Sequence, residues 1–326
     1  KGVGNRPWFD RRMRPVAATG LISGDHFGEE HEGNFLICNT ITFLGVLQHK
    51  VTYDGANIRA TEIEPILRSS DPNFRPSDVE MGGDGAMYVA DWHNVLIGHM
   101  QHNMRDPNRD HNHGRVYRVT KKGRPLLKPA KMKGKPIAQV CANLFASDNG
   151  TRYRARLELT SRSANEIANQ VQAFADTLDP KNASAARDEA QALLEALWVF
   201  EEQRLPNMEL LKKTFQAAEP RVRSAAIRTL GHWAGRVRGW EPTLLAAASD
   251  HSPLVRAEAV KAAVEFADAT STEIIFAVAA QDTDSELDSV LAYATKRIKV
   301  DLVIRDALAA GRELSPLDCA NLCLSG

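Results

Sequence analysis

The chain has 326 residues, 43% hydrophobic and 25% charged, which is apolar material enough for two cores of ordinary soluble composition. Its 41 basic and 41 acidic side chains balance, which excludes the chain-wide basic field that gathers nucleic acid. No apolar run approaches the roughly eighteen residues of a membrane span and no charged-then-apolar leader is visible, while the first residue, Lys1, reads as the start of a piece of something longer.

The first 66 residues or so alternate β-rich runs with turn chemistry. Arg14 to Gly20, Asn34 to Thr40, Phe43 to Tyr53 and Ile58 to Glu64 are strand candidates, and Tyr53-Asp54-Gly55-Ala56-Asn57 is the clearest hairpin between any two of them. The stretch from Phe74 to Thr120 repeats the pattern. Asp78 to Met81 and Ala86 to Ala90 flank Gly82-Gly83-Asp84-Gly85, a tetrapeptide suited to a tight hairpin. Val116 to Thr120 then alternates its side chains as a half-buried strand does. Four short strands separated by turns are the unit of a propeller sheet. The expected fold is therefore β plus α in two domains: residues 1–120 as the last two blades of a β-propeller, a basic linker over 121–136, and an all-α solenoid of HEAT-like repeats over 137–326. Two blades alone would leave a broad apolar face in water, so the remaining blades are expected upstream or in a partner chain.

Histidines crowd one part of the second blade. His93, His99, His102, His111 and His113 make up five of the chain's ten, and they are interleaved with Asp91, Asp106 and Asp110. Imidazole with carboxylate is what a divalent transition metal takes, which makes His93, His99, His102, Asp106, Asp110, His111 and His113 the candidate metal ligands. The plainer reading is a polar loop stitched by Arg105, Asp106, Arg109 and Asp110, and it is the favoured one. Asp106-Pro107-Asn108-Arg109-Asp110 also places oxygens at alternate positions, as calcium loops do. An EF-hand is excluded, because His111 stands where the glycine belongs and Tyr117 where the closing glutamate belongs. Asp25, His26, Glu29, Glu30, His31 and Glu32 form a comparable acidic loop, read as a solvated turn.

From Arg115 to Lys135 the chain turns basic, and Pro125, Pro129, Gly134 and Pro136 break any regular element, as a connector requires. The four cysteines, Cys38, Cys141, Cys319 and Cys323, form no Cys-x-x-Cys or Cys-x-x-Cys-His spacing, so neither a zinc or redox pair nor a covalent haem is indicated. Cys319 and Cys323, four apart, share one face if helical; a disulfide between them is open, and two buried thiols are the favoured reading.

Downstream the sequence repeats. Arg154, Arg187, Arg223 and Arg256 sit in similar contexts at steps of about 33, 36 and 33 residues, a solenoid period. Pro220 and Pro253 stand where a fixed φ suits a helix start, alanines follow, and Leu230, Trp233, Val260, Val264 and Phe266 supply the apolar stripe. The repeated arginine is expected to be structural, pairing with an acid or carbonyl of a neighbouring repeat. His232, His251 and the tryptophans Trp198, Trp233 and Trp240 read as packing or capping groups.

Two segments carry a resemblance. Gly24-Asp25-His26-Phe27-Gly28-Glu29-Glu30-His31-Glu32-Gly33-Asn34-Phe35-Leu36 resembles the loop-and-strand entry of glucose/sorbosone-dehydrogenase-type propellers. Phe74-Arg75-Pro76, Asp84 to Trp92 and Gly114 to Val119 are similar to that family's final blades. The Asp91-Trp92-His93, Ile97-Gly98-His99 and Arg105-to-His111 strings look most like bacterial proteins of the membrane-bound dehydrogenase type, in which HEAT repeats, and often a c-type haem domain, follow the propeller. The resemblance covers roughly residues 14–135. It implies a parent that oxidises a sugar or alcohol outside the cytoplasm, in the periplasm, with pyrroloquinoline quinone and calcium in the propeller well. A c-type cytochrome and other protein partners would dock on the assembly. The general base of such enzymes comes from earlier blades, so no catalytic or cofactor-binding residue is carried onto this sequence and enzymatic activity is left open. The alternative is a non-catalytic propeller and solenoid scaffold that docks partners in a larger assembly.

Overall fold

In this computed structural model the described residues are 14–41, 43–95, 106–107, 109–184, 187–299, 304–305, 308–309, 311 and 313. Two compact units are formed. One comprises residues up to Thr52, Ile58–Lys131 and Ala146–Tyr153; the other comprises Tyr53–Asn57, Met132–Phe145 and the chain from Arg154 onward. The segment 121–131, expected to be linker, thus groups with the first unit.

The first unit is built on two antiparallel sheets. Strands β1 (Arg14–Leu21), β2 (Phe35–Ile41), β3 (Gly45–Asp54) and β4 (Asn57–Arg68) lie in sequential order in one sheet. Strands β5 (Pro76–Met81), β6 (Met87–Asp91) and β7 (Arg115–Val119) form the other, again in order. These bounds fall within a few residues of the runs read from the sequence, because short β-rich runs between turns leave the register little freedom. The Gly82–Gly85 turn closes as expected, with Gly85 N–H donating to Gly82 O (2.9 Å) and Gly82 N–H to Ala86 O (2.8 Å). Where a four-stranded blade was expected, the second sheet has three strands among the described residues.

Alternation decides which faces meet. Val79 on β5 pairs with Val89 on β6, and Met87 lies two residues from Val89, so all three share one face. They pack with Ile22, Phe27, Leu36, Cys38, Val46 and Phe74 in one buried cluster drawn from both sheets. Cys38 belongs to this core, and burial pushes its thiol up to about 12, as it does that of Cys141. Both are packing groups and not nucleophiles. Cys319 and Cys323 lie outside the described residues.

The second unit is helical. Its principal helices are α1 (Ile137–Cys141), α2 (Asn149–Thr160, whose first turns group with the sheets), α3 (Glu189–Glu202), α4 (Met208–Thr214), α5 (Pro220–His232), α6 (Glu241–Ala248), α7 (Pro253–Phe266), α8 (Ala269–Ala279) and α9 (Ser285–Arg297). Side-chain oxygens start most of them. Asp188 accepts from Gln191 N–H (2.8 Å), Asn207 from Leu210 N–H (3.0 Å) and Asp268 from Ser271 N–H (2.9 Å), while Pro220 and Pro253 open α5 and α7. Helices α3, α5, α7 and α9 pack in succession, and α6 lies against α8 behind them. A Cβ on Gly231 of α5 would stand 3.2 Å from Ala262 of α7, so these helices approach about as closely as small residues allow. Leu193, Leu197, Leu210, Leu211 and Trp233 fill the interior. No helix among the described residues is long and apolar enough to cross a membrane.

Candidate functional site

The described start of the histidine-rich stretch is held by an aspartate. Asp91 ends β6 with its side chain fully buried, and its Oδ1 accepts the backbone N–H groups of Arg75 (2.7 Å) and His93 (2.8 Å). Oδ2 accepts from Arg115 Nε (2.7 Å), and Arg115 Nη1 continues to Asp71 Oδ2 (2.8 Å). The Asn73 N–H and then the Arg115 guanidinium hold Asp71 below the usual carboxylate range. Arg75 donates to the Phe74 and Val95 carbonyls (2.9 and 3.0 Å), and burial pulls its pKa down against the fields of Asp91 and Asp71. The outcome is a pinned loop at the end of β6, with His93 held at a φ of +53°.

Asp110 brings two of the predicted ligands together. Its Oδ1 accepts from Asn112 N–H (2.9 Å) and His113 N–H (3.1 Å); its Oδ2 lies 2.8 Å from His113 Nδ1 and 3.5 Å from His93 Nε2. The Asn112 amide, then the His113 ring, lowers the Asp110 pKa. These bonds make a side-chain-closed turn. Asp106 accepts the Arg109 N–H through its carbonyl (3.1 Å), and His111 is exposed. His99, His102, Arg105 and Asn108 lie outside the described residues. Among the described residues no group of three or more His, Cys, Asp or Glu is placed to hold a metal ion.

Sequence reasoning missed the roles of Asp71, Arg75 and Arg115. The signal was available in the strand register, since Arg115 stands directly opposite Asp91 across the β6–β7 ladder, where opposite charges attract. Arg109 stacks over the exposed Trp92 at 4.9 Å. The acidic loop is likewise satisfied within its unit: Gln48 Nε2 meets His31 Nδ1 at 2.8 Å, and Lys121, the largest influence on Glu30, lowers that carboxyl to about 2.

In the helical part the repeated arginine has one hydrogen-bonding pattern. Arg223 Nη1 reaches back to the carbonyls of Ala217 (2.9 Å) and Ala218 (2.8 Å), and Arg256 Nη1 to those of Asp250 (2.8 Å) and His251 (3.3 Å). Arg152 makes the same reach to Ala146 (2.5 Å) and Ser147 (2.8 Å). The equivalent residue in the first copy is therefore Arg152, and the register read from the sequence on Arg154 is two residues late. The Arg187 side chain lies outside what is described. The other arm of the guanidinium reaches forward. Arg223 binds both oxygens of Asp250 (2.8 Å each), and Arg256 Nη2 donates to Asp282 O (2.7 Å). Arg223 and Arg256 thus tie the turn before their own helix to the turn before the next helix in the α5, α7, α9 succession.

Residues 207–296 match HEAT repeats. The arginine pattern runs through that HEAT region, and a second set of bridges links its helices. Arg228 on α5 grips the buried Glu258 on α7 at 2.9 and 3.0 Å, and Glu201 on α3 takes Thr229 (3.1 Å) and His232 of α5. Before it, Arg156 reaches Glu195 and Glu202. Trp233 is buried and Trp240 stacks on Phe266 at 3.9 Å. Residues 11–123 match the family described as Domain of unknown function (DUF7133). No curated protein matches the chain.

Proposed function

We propose that this chain is a non-catalytic docking scaffold, in which the HEAT solenoid binds a protein partner and the two sheets are neighbouring sectors of a β-propeller. The HEAT match over 207–296 carries the reading. Stacked helical repeats touch only their neighbours and leave a long surface suited to partners. The carboxylates between the helices support it as well: buried Glu258 and partly buried Asp250 and Glu201 are engaged in bridges between helices or turns, which is structural work. The propeller part draws on sheets whose strands run antiparallel in chain order and face each other across an apolar cluster. The dehydrogenase ancestry, a quinone and calcium in the parent, a metal at the histidine loop and a periplasmic location rest on sequence pattern and resemblance.

The test has two arms. Proteins crosslinked to the full chain in its native host are identified, and the leading candidate is purified and titrated against the purified chain. A saturable complex that is weakened by Tyr293→Ala, at a residue 62% exposed on α9, supports the scaffold. Reduction of an artificial electron acceptor by the purified chain with added pyrroloquinoline quinone, calcium and a sugar would overturn it. So would failure of every crosslinked candidate to bind the purified chain.

A further inference from the structure

His26 is buried, 3% exposed, and both of its ring nitrogens are engaged by the segment that follows β7. Lys121 N–H lies 3.0 Å from Nε2, and Pro125 O lies 3.1 Å from Nδ1. A backbone amide can only donate and a carbonyl can only accept, so these partners fix the tautomer: Nε2 is the bare acceptor and Nδ1 carries the proton. The contact works only with a neutral ring. A second proton would have to sit on Nε2, where it would face the Lys121 N–H and abolish that bond.

We propose that His26 is a proton-sensitive latch that fastens residues 121–127 to the sheet unit and lets them go on protonation. The groups around it fit that role. Lys121 Nζ donates to Phe27 O (2.7 Å) and pairs with Glu30, Arg124 donates to Asp25 O, and the Phe27 ring meets the imidazole edge-on at 5.3 Å. Gly85 lies close against the His26 side chain, and Leu127 N–H closes the segment onto Asp84 O (2.9 Å). Around the ring Glu30 is committed to Lys121, and Asp25 contributes its carbonyl to Arg124. Latched, the segment belongs to the sheets; released, it becomes free chain ahead of α1, lengthening the connector. Histidine ordinarily titrates near pH 6.5, so mild acidification is the stimulus.

The experiment is amide hydrogen exchange on the full chain, corrected for intrinsic rates, at pH about 7.5 and about 5. Protection at Lys121 and Leu127 is expected to fall about tenfold or more at the lower pH while β2 and β6 keep theirs. His26→Gln, which supplies a non-titrating acceptor, is expected to abolish that pH dependence. Equal protection at both pH values overturns the proposal, and so does an unchanged pH dependence in His26→Gln. Should the variant fail to fold, the imidazole nitrogen shifts of the native protein decide the matter. At pH 7.5 a protonated Nδ1 is expected, and a protonated Nε2 would overturn the latch.

Discussion

Asp284 holds Ala56 with one carboxylate oxygen and starts a helix with the other. Oδ2 accepts the Ala56 N–H at 2.7 Å, and Oδ1 accepts Leu287 N–H (2.9 Å) and Glu286 N–H (3.1 Å) at the head of α9. Gly55, at a φ of +64°, lets the hairpin tip pass, because a Cβ there would collide with Oδ2. Asp284→Ala removes a cap and a hydrogen bond at once, for an expected loss of about 2 kcal/mol. Gly55→Ala is expected to cost about 1–3 kcal/mol from backbone strain and the clash. Because the two residues share one contact, the double variant should lose less than the sum of the singles. Urea unfolding followed by helical circular dichroism measures the cycle, and strict additivity would count against the shared contact.

Most of the fold was legible because its signals are local. The β-rich runs between turns at Tyr53–Asn57 and Gly82–Gly85 determine their own register, and Pro220 and Pro253 mark helix starts with no tertiary information. The candidate site was less legible, since its partners are distant in sequence. His26 and Lys121 are 95 residues apart, and Arg115 and Asp71 are 44 apart. Histidine density raised a metal beside the favoured polar loop, and among the described residues Asp110 places its oxygens on the Asn112 and His113 amides and the His113 ring. The two-residue slip from Arg152 to Arg154 has a similar origin. Both lie in one Arg-rich turn, and only the carbonyls behind it distinguish them.

Glu258 makes the helical unit sensitive to acid. Burial works to raise its pKa, but the Arg228 guanidinium and the Lys261 ammonium outweigh it and the net shift is downward. A carboxyl depressed in the folded state gives stability that is full above its unfolded value near 4.3 and is lost as pH falls through the folded one. Arg228→Ala leaves the carboxylate with Lys261 alone and is expected to cost about 1–2 kcal/mol at neutral pH, the half-exposed guanidinium being screened by solvent. The loss should shrink below about pH 4, as Glu258 protonates in both proteins. Urea midpoints of wild type and variant across pH 3–7 check this.

Asp91 is the most demanding position in the sheet unit. Asp91→Asn keeps the shape but replaces one acceptor oxygen with a donor, facing either Arg115 Nε or the Arg75 and His93 amides. An expected loss of about 2–4 kcal/mol follows from stranding buried donors in a charged network. Asp110→Asn, at a more exposed turn, is expected to cost less than half as much. The comparison is made by thermal unfolding of both variants, with near-ultraviolet circular dichroism reporting Trp92 in the pinned loop.

The repeated arginine is a clamp whose shape matters more than its charge. Arg223 uses a planar fork on Asp250 while its third nitrogen reaches Ala217 and Ala218, and lysine can supply the charge but not that geometry. Burial presses the Asp250 carboxyl up, yet Arg223 and the Ser252 N–H bring it below the usual range, so the pair is favourable on balance. Arg223→Lys is therefore expected to cost about 1–2 kcal/mol. Arg256→Lys, which breaks only bonds to carbonyls, is expected to cost less. In the first copy Arg152→Ala should destabilise more than Arg154→Ala. The reverse order in urea unfolding would restore the register on Arg154 and remove the argument that one arginine pattern runs from α2 through the HEAT repeats.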